Sequence, residues 1–295
     1  KFPTAVHLDA PLPKHQMATL PNEPFLGHGI RLPQPLGALR LFSLLPEVSK
    51  NGTVLLLHGN DWLGNSGEGG VPVPGGATDI AQHLLSHGFS TVLVDSFFDG
   101  RRDRLADRLQ DGLDRRVSDI LAAMVFIESR NFPLPIHLYG KSEGAWVVLR
   151  LLGAPSTQRE KNPLVAREAL WALSCLSSCI CNFQGILHSD EEINNFLSKA
   201  EKLPPVLLLA TNASESLARK AAESISQGAE IMEESEKFAT TCQVVGHVSK
   251  GKMRCILRCY EDEKMLRRHG FEASLTWLNH FAEEIWLEAD EQSAR

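Results

Sequence analysis

The 295-residue chain carries 43% hydrophobic and 22% charged residues, ordinary for a globular protein with a large core. Its net charge of −6 argues against broad nucleic-acid binding, and no apolar run approaches the roughly 18 residues of a membrane helix. An α/β fold of this length is common as one unit, so length does not demand two domains.

Residues 1–50 hold eight prolines, which excludes a long helix there. One strand is predicted over 39–45, and the region reads as an N-terminal arm with edge strands packed on a main domain spanning 51–295. From residue 53 the pattern changes to short apolar runs alternating with helix-length segments. The run 53–57 closes on His58-Gly59, a helix over 77–87 stops at Gly88, and the run 90–94 ends in Asp95. A third run, 136–139, leads into Gly140-Lys141-Ser142-Glu143-Gly144, and a helix over 145–152 has Gly153 just beyond. Further runs follow at 178–185, 205–210 and 253–260, and 273–287 has helical periodicity with Trp277, Phe281 and Ile285 on one face.

Strands apolar along their whole length belong to a sheet covered on both sides. Alternation with helices then gives an α/β, doubly wound, mostly parallel sheet, whose ligands sit beyond the carboxyl ends of the strands. That rim collects residues 59–64, 95–101 and Ser142. The segment 99–119, with six Arg and six Asp, reads as a solvated loop and helix face, or more sharply as anion recognition by Arg101 or Arg102. The segment 155–171 reads as a small cap or insertion after the helix that follows Ser142.

Six cysteines (Cys175, Cys179, Cys181, Cys242, Cys255, Cys259) form no C-x-x-C pair and no zinc-type spacing, so no metal and no cofactor is expected. Most read as buried apolar side chains. The chain starts at Lys1, which leaves the compartment open: cytoplasmic, or periplasmic or secreted if a leader preceded it. In those cases a disulfide would also be allowed.

Gly140-Lys141-Ser142-Glu143-Gly144 carries the chemistry. A serine between a short apolar strand and a helix, flanked by glycines two residues away, is the pattern of a nucleophile elbow. The turn forces positive φ on the serine, so its flanking residues must be small. The helix N-terminus beyond it favours developing negative charge. A phosphate-binding P-loop needs glycine five residues before Gly140, where Pro135 stands, so that reading fails. An oxyanion hole would use the backbone N–H of Glu143 and one from the loop after 53–57, with Asn60 the better placed candidate and Asp61 next.

Three blocks together resemble the dienelactone hydrolase branch of the α/β-hydrolases: Leu55-Leu-Leu-His-Gly59, Leu93-Val-Asp-Ser-Phe97 with Arg101 after it, and Tyr139-Gly-Lys-Ser-Glu-Gly-Ala145. The likeness covers roughly residues 53–153 and weakens beyond. It implies an α/β-hydrolase fold and the chain order serine, acid, histidine. Of the histidines after Ser142, His188 is too early, His280 falls on the last helix, and His269-Gly270-Phe271 resembles the family's histidine loop, with His247 second. The family's Gly-x-x-Asp acid falls on Thr211-Asn-Ala-Ser214, so Glu215, one place on, and Asp190 stay open as the acid, as does its absence. The reading is a serine esterase acting on a small-molecule acyl substrate through an acyl-enzyme, with Trp62, Trp146 and Phe97 as candidate pocket walls and a homodimer left open. The rival is a hydrolase-fold binding protein with a degraded site.

Overall fold

In a computed structural model, the chain is described at residues 30–34, 37–46, 51–59, 75–95, 109–157, 163–184, 203–225, 230–232, 242–249 and 252–293. Strands β1 (Ile30–Gln34), β2 (Gly37–Leu44) and β3 (Thr53–Leu57) precede helix α1 (Gly75–Ser86), β4 (Ser90–Asp95) and helix α2 (Leu109–Ser129). Strand β5 (Ile136–Lys141) leads into helices α3 (Glu143–Thr157) and α4 (Pro163–Cys175), then β6 (Leu176–Asn182), β7 (Val206–Thr211) and helix α5 (Glu215–Ile225). Strands β8 (Glu230–Met232), β9 (Cys242–Ser249) and β10 (Lys252–Tyr260) and helix α6 (Glu263–Ser293) complete the order. No described helix is long and apolar enough to cross a membrane.

All ten strands among the described residues form one sheet, ordered β1-β2-β4-β3-β5-β6-β7-β10-β9-β8. The six central strands, β4 to β10 in that order, pair in parallel, and both edges are antiparallel. The expected doubly wound, mostly parallel sheet is therefore present. Side chains alternate between two cores, as the two-residue strand period dictates. Leu55, Leu57, Leu138, Val206 and Leu208 face α2, α3, α4 and α5. Val54, Leu56, Tyr139, Leu207 and Leu209 face α1 and α6. Continuous apolar runs in the sequence reflect this double coverage.

Several element ends differ from the expected ones. Helix α3 runs on through Gly153 and Pro155. Proline costs one backbone donor, but Leu151, Leu152 and Ala154 are buried there, and tertiary packing outweighs the local propensity. Beyond it, α4 packs against α3 and α2 in the helical layer and runs directly into β6. Helix α6 starts ten residues before the expected 273, at Glu263. Asp262 caps it by accepting the Met265 N–H at 2.8 Å.

His137 is fully buried, its Nδ1 2.9 Å from the Ser178 hydroxyl, its Nε2 without a hydrogen-bond partner among the described residues, and its ring edge-on to Phe89. Burial lowers its pKa from 6.5 to about 3. The folded state therefore favours the neutral ring, and stability falls as pH drops below 6.5, by roughly 1 kcal/mol per pH unit. Urea unfolding of the wild type against His137→Asn between pH 7 and 4.5 should show this extra slope in the wild type alone; parallel slopes would contradict it. Cys179, Cys181 and Cys255 are also fully buried, and burial pushes their thiols upward. They should stay unmodified by iodoacetamide in the native protein and react in denaturant, and native labelling at any of the three in a peptide map would show the core to be open.

Candidate active site

Strand β5 ends at Lys141 and α3 begins at Glu143, so Ser142 makes the turn, with φ 54°. A left-handed conformation costs a non-glycine residue about 1–2 kcal/mol, and neighbours must hold it. The Ser142 N–H donates to the Asn182 carbonyl at 2.8 Å, and the Ser142 carbonyl accepts from Ala145 N–H at 2.9 Å. The backbones around the turn approach closely. A β-carbon on Gly140 would lie 2.3 Å from the Gly144 carbonyl oxygen, and one on Gly144 would lie 2.2 Å from that of Leu57. A β-carbon on Gly59 would stand 2.5 Å from Ser142 Cβ and 3.0 Å from its Oγ. The expected strand–turn–helix is present at this pentapeptide, and small flanking residues are a steric necessity.

A ring of buried polar groups braces the turn. Asn182, at the end of β6, accepts from Gln184 N–H at 3.1 Å through its side-chain oxygen and donates to the Tyr139 hydroxyl at 3.2 Å. Burial raises the Tyr139 pKa, opposed by bonds with Asn182 and Ser274, so the phenol stays protonated. His58 is buried and its Nδ1–H donates to the Gly59 carbonyl at 3.0 Å. Beneath it, the buried Arg116 donates to the His58 carbonyl and stands 3.9 Å from the Glu143 carboxylate. Burial lowers the Arg116 pKa to about 10, against the raising fields of Glu143, Asp119 and Asp95, which leaves it a cation at neutral pH. Arg150 on α3 grips Asp114 on α2 with two bonds, of 2.7 and 3.2 Å. The solvated helix face expected over 99–119 is thus corrected at Arg116 and Asp119, which are buried, and at Asp114, which pairs with a buried arginine. The i, i+4 charge spacing gave no sign of this, because like patterns serve exposed and buried faces alike.

The other candidates fall in different places. His269 lies in the second turn of α6 and not in a loop, with its Nδ1 3.8 Å from Glu272 and its side chain 42% exposed. Gly270 explains part of the His-Gly-Phe block, since a β-carbon there would press within 2.8 Å of Leu266 Cδ1 and touch Leu209, while the Phe271 ring packs tilted against His83 with centroids 5.0 Å apart. Ser214 is buried, its hydroxyl accepting from Thr211 N–H at 3.1 Å just before α5. Glu215 opens α5 and binds Arg219 at 2.6 Å. Among the described residues, the structure joins neither Ser142 nor Glu215 to His269 by a hydrogen bond or ion pair. Trp146, a candidate pocket wall in the sequence, packs edge-on against Phe183 in the core. His280 is exposed on α6. Asn60, Asp61, Trp62, Phe97, Arg101, Arg102, His188 and Asp190 lie outside the described residues, as does the side chain of His247.

No protein-family model and no curated protein sequence matches the chain. Solved structures do. A dienelactone hydrolase from Anabaena variabilis superposes with a TM-score of 0.54 at 12% identity, covering 87% of this chain and 96% of that one. A cold-adapted esterase from an Arctic intertidal metagenomic library gives 0.54 at 14%, covering 85% and 92%. An arylesterase gives 0.50 at 11%, covering 86% and 84%. The fold is the α/β-hydrolase fold. In this α/β-hydrolase sheet, Gly59, Asp95, Ser142 and Asn182 all stand at the carboxyl ends of neighbouring parallel strands. Gly144→Ala should destabilise the protein by about 2–3 kcal/mol, because the helix must withdraw from the Leu57 carbonyl. Urea midpoints measure it, and an unchanged midpoint would contradict the close approach.

Proposed function

We propose that this chain hydrolyses a carboxylic ester, or a related acyl bond, of a small molecule, with Ser142 as nucleophile. The observation that carries the proposal is Ser142 at positive φ between β5 and α3, with the Gly59 backbone against its side chain. This is the setting a nucleophile elbow requires: the hydroxyl stands off the sheet, at a helix N-terminus. The esterases and the dienelactone hydrolase that share the fold make ester hydrolysis the first chemistry to test.

In the proposed reaction His269 takes the hydroxyl proton as Ser142 attacks the acyl carbon, then gives it to the departing alcohol. The N–H groups of Glu143 and Asn60 hold the oxyanion, and water releases the acid from the acyl-enzyme. One structural relation favours His269. A β-carbon on its neighbour Gly270 would lie 3.7 Å from Leu209 Cδ1, and Leu209 is in register with Asn182, itself in register with Lys141. That stretch of α6 therefore stands level with the residue before Ser142. A side-chain rotation or a shift of the first turns of α6 would be needed to close a bond. Glu215, once released from Arg219, or Asp190 would orient the imidazole.

A second reading, a hydrolase-fold binding protein, is favoured by two observations. Ser214 occupies the acid's expected place, and the Ser142 hydroxyl has no hydrogen-bond partner among the described residues. Steady-state kinetics on short p-nitrophenyl esters separate the two. The enzyme reading expects Ser142→Ala to lower kcat by more than about 10⁴-fold. It expects His269→Ala to cost about 10³-fold or more with KM little changed. Of Glu215→Gln and Asp190→Asn, the first is expected to cost more. Turnover in the wild type that survives Ser142→Ala, or no turnover at all, would overturn the proposal. A greater loss in His247→Ala than in His269→Ala would move the base.

A further inference from the structure

Arg116 is a cation in the protein core, 3% exposed, and two of its nitrogens point at two different pieces of the proposed site. One donates to the carbonyl of His58, the residue before Gly59, whose backbone closes on the Ser142 side chain. The other stands 3.9 Å from the carboxylate of Glu143, the residue immediately after Ser142. From these contacts we infer that Arg116 is a positioning residue, a clamp that fixes the loop after β3 and the first turn of α3 relative to each other. The inference rests on the proposed esterase reading. One proposed oxyanion donor, the Glu143 N–H, belongs to a clamped residue, and the Gly59 backbone that closes on Ser142 follows directly from the clamped His58 carbonyl.

The physical case is one of cost and geometry. Burying a guanidinium is expensive unless its donors are used and its charge is answered. Here the answering charges are Glu143, Asp119 and Asp95, from α3, α2 and the end of β4. Asp95 and Asp119 are themselves buried. Such an investment in the dry interior does little for net stability compared with an apolar side chain of equal volume. Its rigid planar fork can nonetheless face a backbone carbonyl and a carboxylate at once with fixed separation, which lysine's single ammonium cannot do. Oxyanion donors contribute only when held where the charge develops. The clamp therefore acts on kcat and leaves substrate binding nearly alone.

Kinetics of p-nitrophenyl acetate hydrolysis by the full chain test this, with folding checked by thermal melts. Arg116→Gln should lower kcat about 10- to 100-fold with KM within about threefold, and Arg116→Lys should restore only part of the loss. Glu143→Gln changes a part-exposed side chain, keeps the backbone donor, and should lower kcat about 3- to 10-fold. In the Arg116→Gln background it should cost almost nothing more, since the two act as a unit. If Arg116→Gln does not fold, Glu143→Gln alone decides. A Glu143→Gln variant with unchanged kcat, or a folded Arg116→Gln variant that melts lower but turns over within twofold of wild type, overturns the clamp. A wild type without Ser142-dependent turnover fails differently: it removes the reaction, and the clamp's role in it.

Discussion

Two strand ends and a helix start meet at Ser142 with no room for side chains between them. Gly144 lies against the Leu57 carbonyl, Gly140 against Gly144, and Gly59 against Ser142 itself. These contacts draw β3, β5 and the start of α3 together, and they keep a non-glycine residue at φ 54°. The cost of that conformation is offset by the surrounding sheet, in which β3, β4 and β7 are buried along their whole length and β5 up to Gly140. Local strain of this kind persists only where packing over-determines it. In the proposed reaction, a serine whose backbone is held this way would lose little further freedom on attack, which is one way a fold lowers a barrier before chemistry begins.

Polar groups inside the protein concentrate around the same point. Asn182 receives the Ser142 N–H on its backbone and spends its side chain on Gln184 and Tyr139. Arg116 and Arg150 tie α2 to the loop after β3 and to α3. Buried charges are seldom kept for stability alone, and these converge on the backbone that carries the proposed nucleophile.

The central strands were legible because double coverage leaves an unmistakable continuous apolar signal. The turn at Ser142 was legible because its sterics admit so few residues at Gly140 and Gly144. Helix ends were less so. Gly153 and Pro155 ordinarily stop a helix, yet α3 runs through both because its buried face continues to Ala154. Asp262 followed by Glu263 was a readable cap for α6, and resemblance to a histidine loop at His269 masked it. Arg116 could not be found by pattern at all. It sits among five other arginines in 99–119, and only the third dimension distinguishes a buried guanidinium from a solvated one. The acid was the least legible feature, since Ser214 stands where a carboxylate was expected and Glu215 turns to Arg219.

Covalent capture tests the proposed nucleophilicity of the Ser142 hydroxyl without any assumption about substrate. Folded protein incubated with a fluorophosphonate, then digested and mapped by mass spectrometry, should carry one phosphonyl group, on the peptide containing Ser142, with none formed after heat denaturation. An unmodified Ser142 in folded protein, beside a known serine esterase that labels fully in the same tube, would contradict the account.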